Sequence, residues 1–468
     1  MMYDCADSAP PRGSQVAEAS AHTAQRRTER LSASADPGPG GLERRLLEVR
    51  LPSNMKPPET TEFPTLIERQ QYLHRLRRLK MARSAHAFVR GSTEQFYDWL
   101  TSPGGTQLPQ GPAVWICGDC HVGNLGPVGR VAGAAVIEIR DLDQTVIGNP
   151  AYDLVRLGLS LAMASRGSSL PGVITARMTE HLVAGYEAAF DGEIPSEQVD
   201  ELPAPIGFVM KRAIRRTQEK LLGERVGRDQ YRFKLGKRFW PITREERDAV
   251  AALIESDAVR DLVTGLEERD DQSQVRFLDA AYWVKGCSSL GLWRGAILTE
   301  VFTPGARKKG KRGSVCLLDF KEAVDPAAPA MRASGLAADP ASRVVMGACK
   351  IAPALGRRMM AAPLLDRSVF IRELMPQDLK VELDELSIAD GKQVAHYLGM
   401  VVGRAHARQM DTAQRRSWLS EMHERRTKNI DAPSWLWAAV VDLVGLHERA
   451  YLEHCRRYAM EQDQLPAT

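Results

Sequence analysis

Residues 114–126 read VWICGDCHVGNLG, and residues 134–154 read AAVIEIRDLDQTVIGNPAYDL. Val114, Trp115 and Ile116 form a short apolar run that delivers Gly118 and Asp119, with His121, Gly123 and Asn124 close behind. A second run, Ala134 to Ile139, delivers Asp141 and Asp143. Short apolar runs bounded by Gly, Asp and Asn read as two β-strands joined by a turn-rich gap. Carboxylates and an amide oxygen at strand ends suit a hard cation such as Mg²⁺, which takes oxygen ligands. A third carboxylate nearby, Asp119, can orient a hydroxyl. The stretch reads as a phosphotransfer centre, and a plain Asp/Asn turn between strands is its structural alternative.

Working outward, composition sets limits. A chain of 468 residues has room for two or three structural units. Lys plus Arg number 63 against 59 for Asp plus Glu, a net charge of +4, which excludes a strongly basic chain coating nucleic acid. No run of about 18 apolar residues appears, so no membrane span is expected. With no export signal at the N-terminus, the seven scattered cysteines read as reduced thiols and the chain as cytoplasmic. Cys117, Cys120 and His121 satisfy the C-x-x-C-H pattern of covalent haem attachment. That chemistry needs export, so a small buried Cys closing a strand is the better reading. No second Cys/His pair stands at finger-like spacing for zinc.

Residues 1–40, rich in Ala, Ser, Pro, Gly and charge, are expected to be disordered. Helical periodicity follows over 63–100, where Arg83, Arg90 and Gly91 stand before the central stretch. A solvated or ion-paired surface role suits both Arg83 and Arg90; phosphate contact is the sharper alternative, because a guanidinium fork matches phosphate oxygens. Helices are also expected after Asp153, over 174–190, 244–270, 341–362 and 394–409, and from 431 to 455, with a linker at 194–206. Residues 211–238 hold eleven Lys or Arg against three acidic residues, interleaved with Tyr231 and Phe233 and followed by Phe239 and Trp240. A solvated amphipathic face followed by a β-turn is preferred there over a nucleic-acid footprint. Two strand-like halves flank Gly286-Cys-Ser-Ser-Leu-Gly291, and a third strand, 314–320, ends at Lys321. A Gly/Ser turn can cradle phosphates with its N–H groups, so Gly286, Ser288, Ser289 and Gly291 become candidate nucleotide contacts. The tip at 307–312 is expected to be an exposed hairpin loop, and 369–374 a strand.

The central stretch resembles the catalytic core of aminoglycoside phosphotransferase and choline kinase type enzymes, within the protein-kinase-like superfamily. The matching residues are Gly118-Asp119-Cys120-His121-Val122-Gly123-Asn124, then Asp141, then Gly148-Asn149-Pro150-Ala151-Tyr152-Asp153-Leu154. More narrowly, residues 60–455 resemble a bacterial family catalogued only as a domain of unknown function. The superfamily resemblance implies an α+β, two-lobed fold with a mainly helical large lobe and a small β-sheet lobe. It implies Asp119 as catalytic base, His121 as a loop brace, and Asn124 and Asp141 as Mg²⁺ ligands. Asp143 would take a second metal or cap a turn. Lys321 would hold the α/β-phosphates of ATP beneath the 286–291 turn. The domains would be a catalytic-loop part of the large lobe at 41–270, a nucleotide-binding small lobe at 271–376, and the helical remainder at 377–460.

Two departures qualify that likeness. The catalytic loop precedes the Gly turn and Lys321, the reverse of the usual order, so the fold is expected to be circularly permuted; the helix ending at His406 would lead into the loop. The helix after Lys321 lacks the usual Glu. Glu322 or Glu373 substitutes, or Lys321 is unpaired, or the chain is a weak or inactive kinase. The expected function is thus ATP- and Mg²⁺-dependent phosphoryl transfer to an unidentified acceptor. Its alternatives are AMP transfer on the same scaffold and a non-catalytic nucleotide-binding scaffold.

Overall fold

Capping residues fix where the first helices begin. Thr65 accepts from Glu68 N while the Glu68 carboxylate accepts from Thr65 N, a reciprocal cap that opens α1 (Leu66–Ala82). Ser84 caps α2 (Ala85–Gly91), and α3 (Thr93–Leu100) follows. The computed structural model describes residues 63–130, 133–167, 170–190, 202–227, 231–265, 269, 273–304, 313–329, 339–381, 387–425 and 434–462. The expected disordered tail (1–40), most of the 194–206 linker and the 307–312 loop tip lie outside them.

The central stretch differs from the expected single pair of strands. Four strands form there: β1 (Val114–Ile116), β2 (Leu125–Gly129), β3 (Ala135–Ile139) and β4 (Val146–Gly148). β1 pairs antiparallel with β4, and β2 with β3, so the two apolar runs lie in separate two-stranded sheets. Strand β2 reads LGPVG, whose glycines and proline are poor strand formers, and pairing alone makes it a strand.

Helices α4 (Ala151–Gly167) and α5 (Gly172–Ala188) come next. The basic stretch then forms α6 (Ala204–Ile214), α7 (Gln218–Gly223) and β5 (Phe239–Trp240). Phe233, Phe239 and Trp240 are buried, which removes the exposed stacking platform that a nucleic-acid reading needs; Tyr231 alone stays exposed. Two further helices, α8 (Arg244–Ile254) and α9 (Asp257–Thr264), precede the long strands β6 (Gln274–Trp283), β7 (Arg294–Phe302) and β8 (Ser314–Glu322). The helix expected over 341–362 stops early. Pro353 breaks it into α10 (Pro340–Ile351) and α11 (Pro353–Gly356), and Met359–Leu364 becomes strand β9 against β10 (Arg367–Glu373). The chain continues through α12 (Ile388–Ala407), α13 (Thr412–Glu424) and α14 (Ser434–Gln462).

The architecture is mixed α+β. Six strands form one antiparallel sheet in the order β5-β6-β7-β8-β10-β9. Alternation along β7 and β8 sends Ala296, Leu298, Val315 and Leu317 into a small core with Phe233, Phe239 and Trp283. The larger core joins β1–β4 to α4, α5, α10, α12 and α14. Residues from Pro64 onward form one compact unit. No helix among the described residues is long and apolar enough to cross a membrane.

Candidate functional site

The loop between β1 and β2 carries Asp119, His121 and Asn124, and α4 fixes its shape. Asp153, in the first turn of α4, accepts from Cys117 N at 2.7 Å and Gly118 N at 3.0 Å, and contacts His406 Nε2 of α12 at 3.2 Å. One helical turn on, Arg156 Nε donates to Asp119 Oδ1 at 2.9 Å. Arg156 Nη2 also donates to Val89 O at 2.6 Å, and the guanidinium lies over the Phe96 ring. Burial raises the Asp119 carboxyl above its usual range, and Arg156 opposes that rise. His121 Nε2 stands 3.9 Å from Asp119 Oδ2. Burial, then Arg90 and Arg156, hold the imidazole well below its ordinary pKa, so it is neutral. Asn124 Nδ2 donates to Asp119 O at 2.9 Å, which leaves Oδ1 as the free end of the amide.

Asp141 and Asp143 follow β3, and the six-stranded sheet supplies their counter-ion. Lys321 Nζ, at the end of β8, pairs with Asp141 Oδ1 at 3.1 Å and with Asp143 Oδ2. Desolvation at the cleft wall would raise Asp141, but Lys321 overrides it and holds the carboxyl below its usual range; burial and then Asp141 push Asp143 up. Neither Glu322 nor Glu373 serves Lys321. Glu322 accepts from Trp293 N, and Glu373 pairs with Arg269. Helix α10 contributes an arginine in place of the expected Glu. Arg343 Nη2 donates to Asp143 O and Val324 O, both at 2.9 Å, tying the acidic turn to the strand end. From β10, Arg372 Nη1 donates to Arg140 O at 3.1 Å, while its other nitrogens bind Asp319, which also binds Arg294.

One cleft brings these parts together. Asp119, His121, Asn124, Asp141, Asp143, Gly286, Ser288 and Ser289 line it, with Arg90, Gln144, Cys287 and Lys380. Lys321, buried and paired with both acidic residues, does not itself line the cleft. Gly286 has φ +105°, and a Cβ there would meet Ser289 Oγ at 2.5 Å, so only glycine suits this corner of the turn. Gly291, expected among the nucleotide contacts, does not line the cleft and faces His74 of α1 instead. Among the described residues of 211–238, none lines the cleft.

Cys117, Cys120 and Asp153 also converge, with ligand atoms within 4.8 Å of one another. The Asp153 oxygens already bind N–H groups and His406, and both thiols are buried and pushed above their usual pKa. They are core packing, which also removes them from haem attachment.

Sequence reasoning missed Arg156, Arg343, Gln144 and Lys380. Only Arg156 left a signal, as a lone cation inside the apolar helix AYDLVRLGLSLAMA. The chain belongs to the family described as an uncharacterized protein conserved in bacteria (DUF2252), matched over residues 69–457. No curated protein and no solved structure matches it.

Proposed function

We propose that this chain is an ATP- and Mg²⁺-dependent phosphotransferase with a circularly permuted, two-lobed kinase-like fold. One observation carries the reading: a Gly/Ser turn, two strand-end carboxylates and Asp119, itself held by the buried Arg156, line one cleft although the turn lies more than 140 residues further along the chain. The donor set fits a hard cation. Asp143 Oδ1 is buried without a hydrogen-bond partner, Asn124 Oδ1 is free, and Asp141 is half-exposed at the cleft. Asn124, Asp141 and Asp143 would hold Mg²⁺, which supplies charge neutralisation for the phosphates.

Asp119 orients the acceptor hydroxyl. The acceptor oxygen bonds to the γ-phosphorus as the bond to the β,γ-bridging oxygen breaks. That electron pair leaves with ADP, and the acceptor proton passes to Asp119. Arg156 keeps Asp119 fixed and ionised until then. His121, buried and neutral, lines the cleft beside Asp119.

ADP release in the presence of ATP and Mg²⁺ tests the reading. Asp119→Asn is expected to lower turnover by about 100-fold or more while ATP still binds. Unchanged turnover in that variant overturns the assignment. A second reading, a non-catalytic nucleotide scaffold, has one observation in its favour: Lys321 occupies both metal-side carboxylates. Turnover by the wild type excludes it. The mass added to a modified acceptor separates phosphate from AMP transfer.

A further inference from the structure

Lys380 belongs to a segment to which the sequence assigns no role. After β10 the chain runs antiparallel to β2, with Leu379 N donating to Pro127 O at 3.3 Å and Val381 N to Leu125 O at 3.2 Å. Side chains alternate along an extended segment. Leu379 and Val381 are buried, and Lys380 between them projects onto the cleft. Gly126 permits this approach, since a Cβ there would lie 2.4 Å from Leu379 O and 3.2 Å from Lys380 Cα. Arg90, from α2, also lines the cleft and lies against Gly123. Its Nε is buried without a hydrogen-bond partner.

The charges of the cleft are unevenly matched. Arg156 pairs with Asp119, and Lys321 is shared by Asp141 and Asp143, offsetting one of their two charges. Among the described residues, neither Arg90 nor Lys380 forms an ion pair. Desolvation in the cleft, then Arg90 and Arg140, lower the Lys380 ammonium to about 8, and Asp141 opposes that fall. The turn at 286–289 shares that space: Lys80 donates to Gly286 O at 2.9 Å, and Cys287 feels Arg90 and Lys380.

The geometry points to Arg90 and Lys380 as a phosphate clamp. They hold the terminal phosphates of a nucleoside triphosphate against the 286–289 turn, and Lys321 is the counter-ion of the acidic pair rather than a phosphate ligand. This rests on the phosphotransferase reading and reassigns the cation within it. A guanidinium fork and an ammonium are the usual donors to phosphate oxygens.

Calorimetric titration of the full chain with ATP and with inorganic tripolyphosphate, without Mg²⁺, tests it. Lys380→Met and Arg90→Gln are each expected to weaken both probes by about tenfold or more, and Lys380→Arg to restore binding. Lys321→Met, with its fold checked by circular dichroism, is expected to stay within about threefold of wild type for tripolyphosphate, because its ammonium sits behind the carboxylates. Wild-type affinity in Lys380→Met and Arg90→Gln overturns the clamp and leaves the nucleotide reading standing. A wild-type chain that binds neither probe overturns the nucleotide reading and the clamp together.

Discussion

Asp119 and Arg156 meet at 2.9 Å with almost no water around them. Removing one partner of a buried ion pair strands the other. Arg156→Met is therefore expected to cost about 3–5 kcal/mol in urea unfolding. A loss below about 1 kcal/mol would mean that Asp119 takes up a proton or finds other donors. His447, on α14, is a second buried group near Arg156. Its Nδ1 donates to Leu443 O at 2.9 Å, and burial, then Arg156, lower its pKa from 6.5 to about 4. The unfolded chain takes up this proton first as pH falls, so stability is lost from about pH 6.5 down to about pH 4. The full effect is on the order of 3 kcal/mol. Between pH 7 and 4.5, His447→Leu should lose measurably less stability than wild type; parallel losses would refute the linkage. At this scale the sequence exposed Asp119, Asn124, Asp141 and Asp143, because their spacing relative to glycines and apolar runs is local. Arg90 was visible only as one of two readings. Lys380 was invisible, because its direction depends on pairing with β2, a partner more than two hundred residues away.

The loop at 117–124 is held less by its own turns than by α4 and α12. Asp153 gathers two loop N–H groups and His406. Asp153→Ala is expected to lower stability by about 3 kcal/mol and reduce turnover more than nucleotide binding, since Asp141, Asp143 and the 286–289 turn stay in place. Turnover falling only in proportion to the folded fraction would deny the loop its positioning role. Most helices were legible from period, and β6–β8 from runs between turns. The misses have physical causes. Strand β2 is rich in Gly and Pro, so nothing in its composition marks it as a strand. Residues 359–364, Met-Met-Ala-Ala-Pro-Leu, carry no β-branched residue and no alternation, so nothing local separates them from the helix before Pro353. The missing Glu after Lys321 was visible in the sequence. Its replacement by a two-carboxylate counter-ion, with Arg343 gripping the turn from α10, was not.

Across the whole molecule, the large sheet and the β1–β4 region meet through charged side chains. Arg372 ties β10 to Arg140, Arg343 ties α10 to the acidic turn, and Lys321 joins β8 to Asp141 and Asp143. Cleft geometry thus depends on both regions. Asp141 is where nucleotide, metal and counter-ion would meet. Calorimetric titration of ATP with and without Mg²⁺, on wild type and Asp141→Asn, tests the central claim most directly. The account predicts that Mg²⁺ tightens ATP binding to wild type by about tenfold or more, and that Asp141→Asn abolishes this gain while metal-free binding persists. ATP binding that ignores Mg²⁺ in the wild type, or an Mg²⁺ gain that survives in Asp141→Asn, would contradict it.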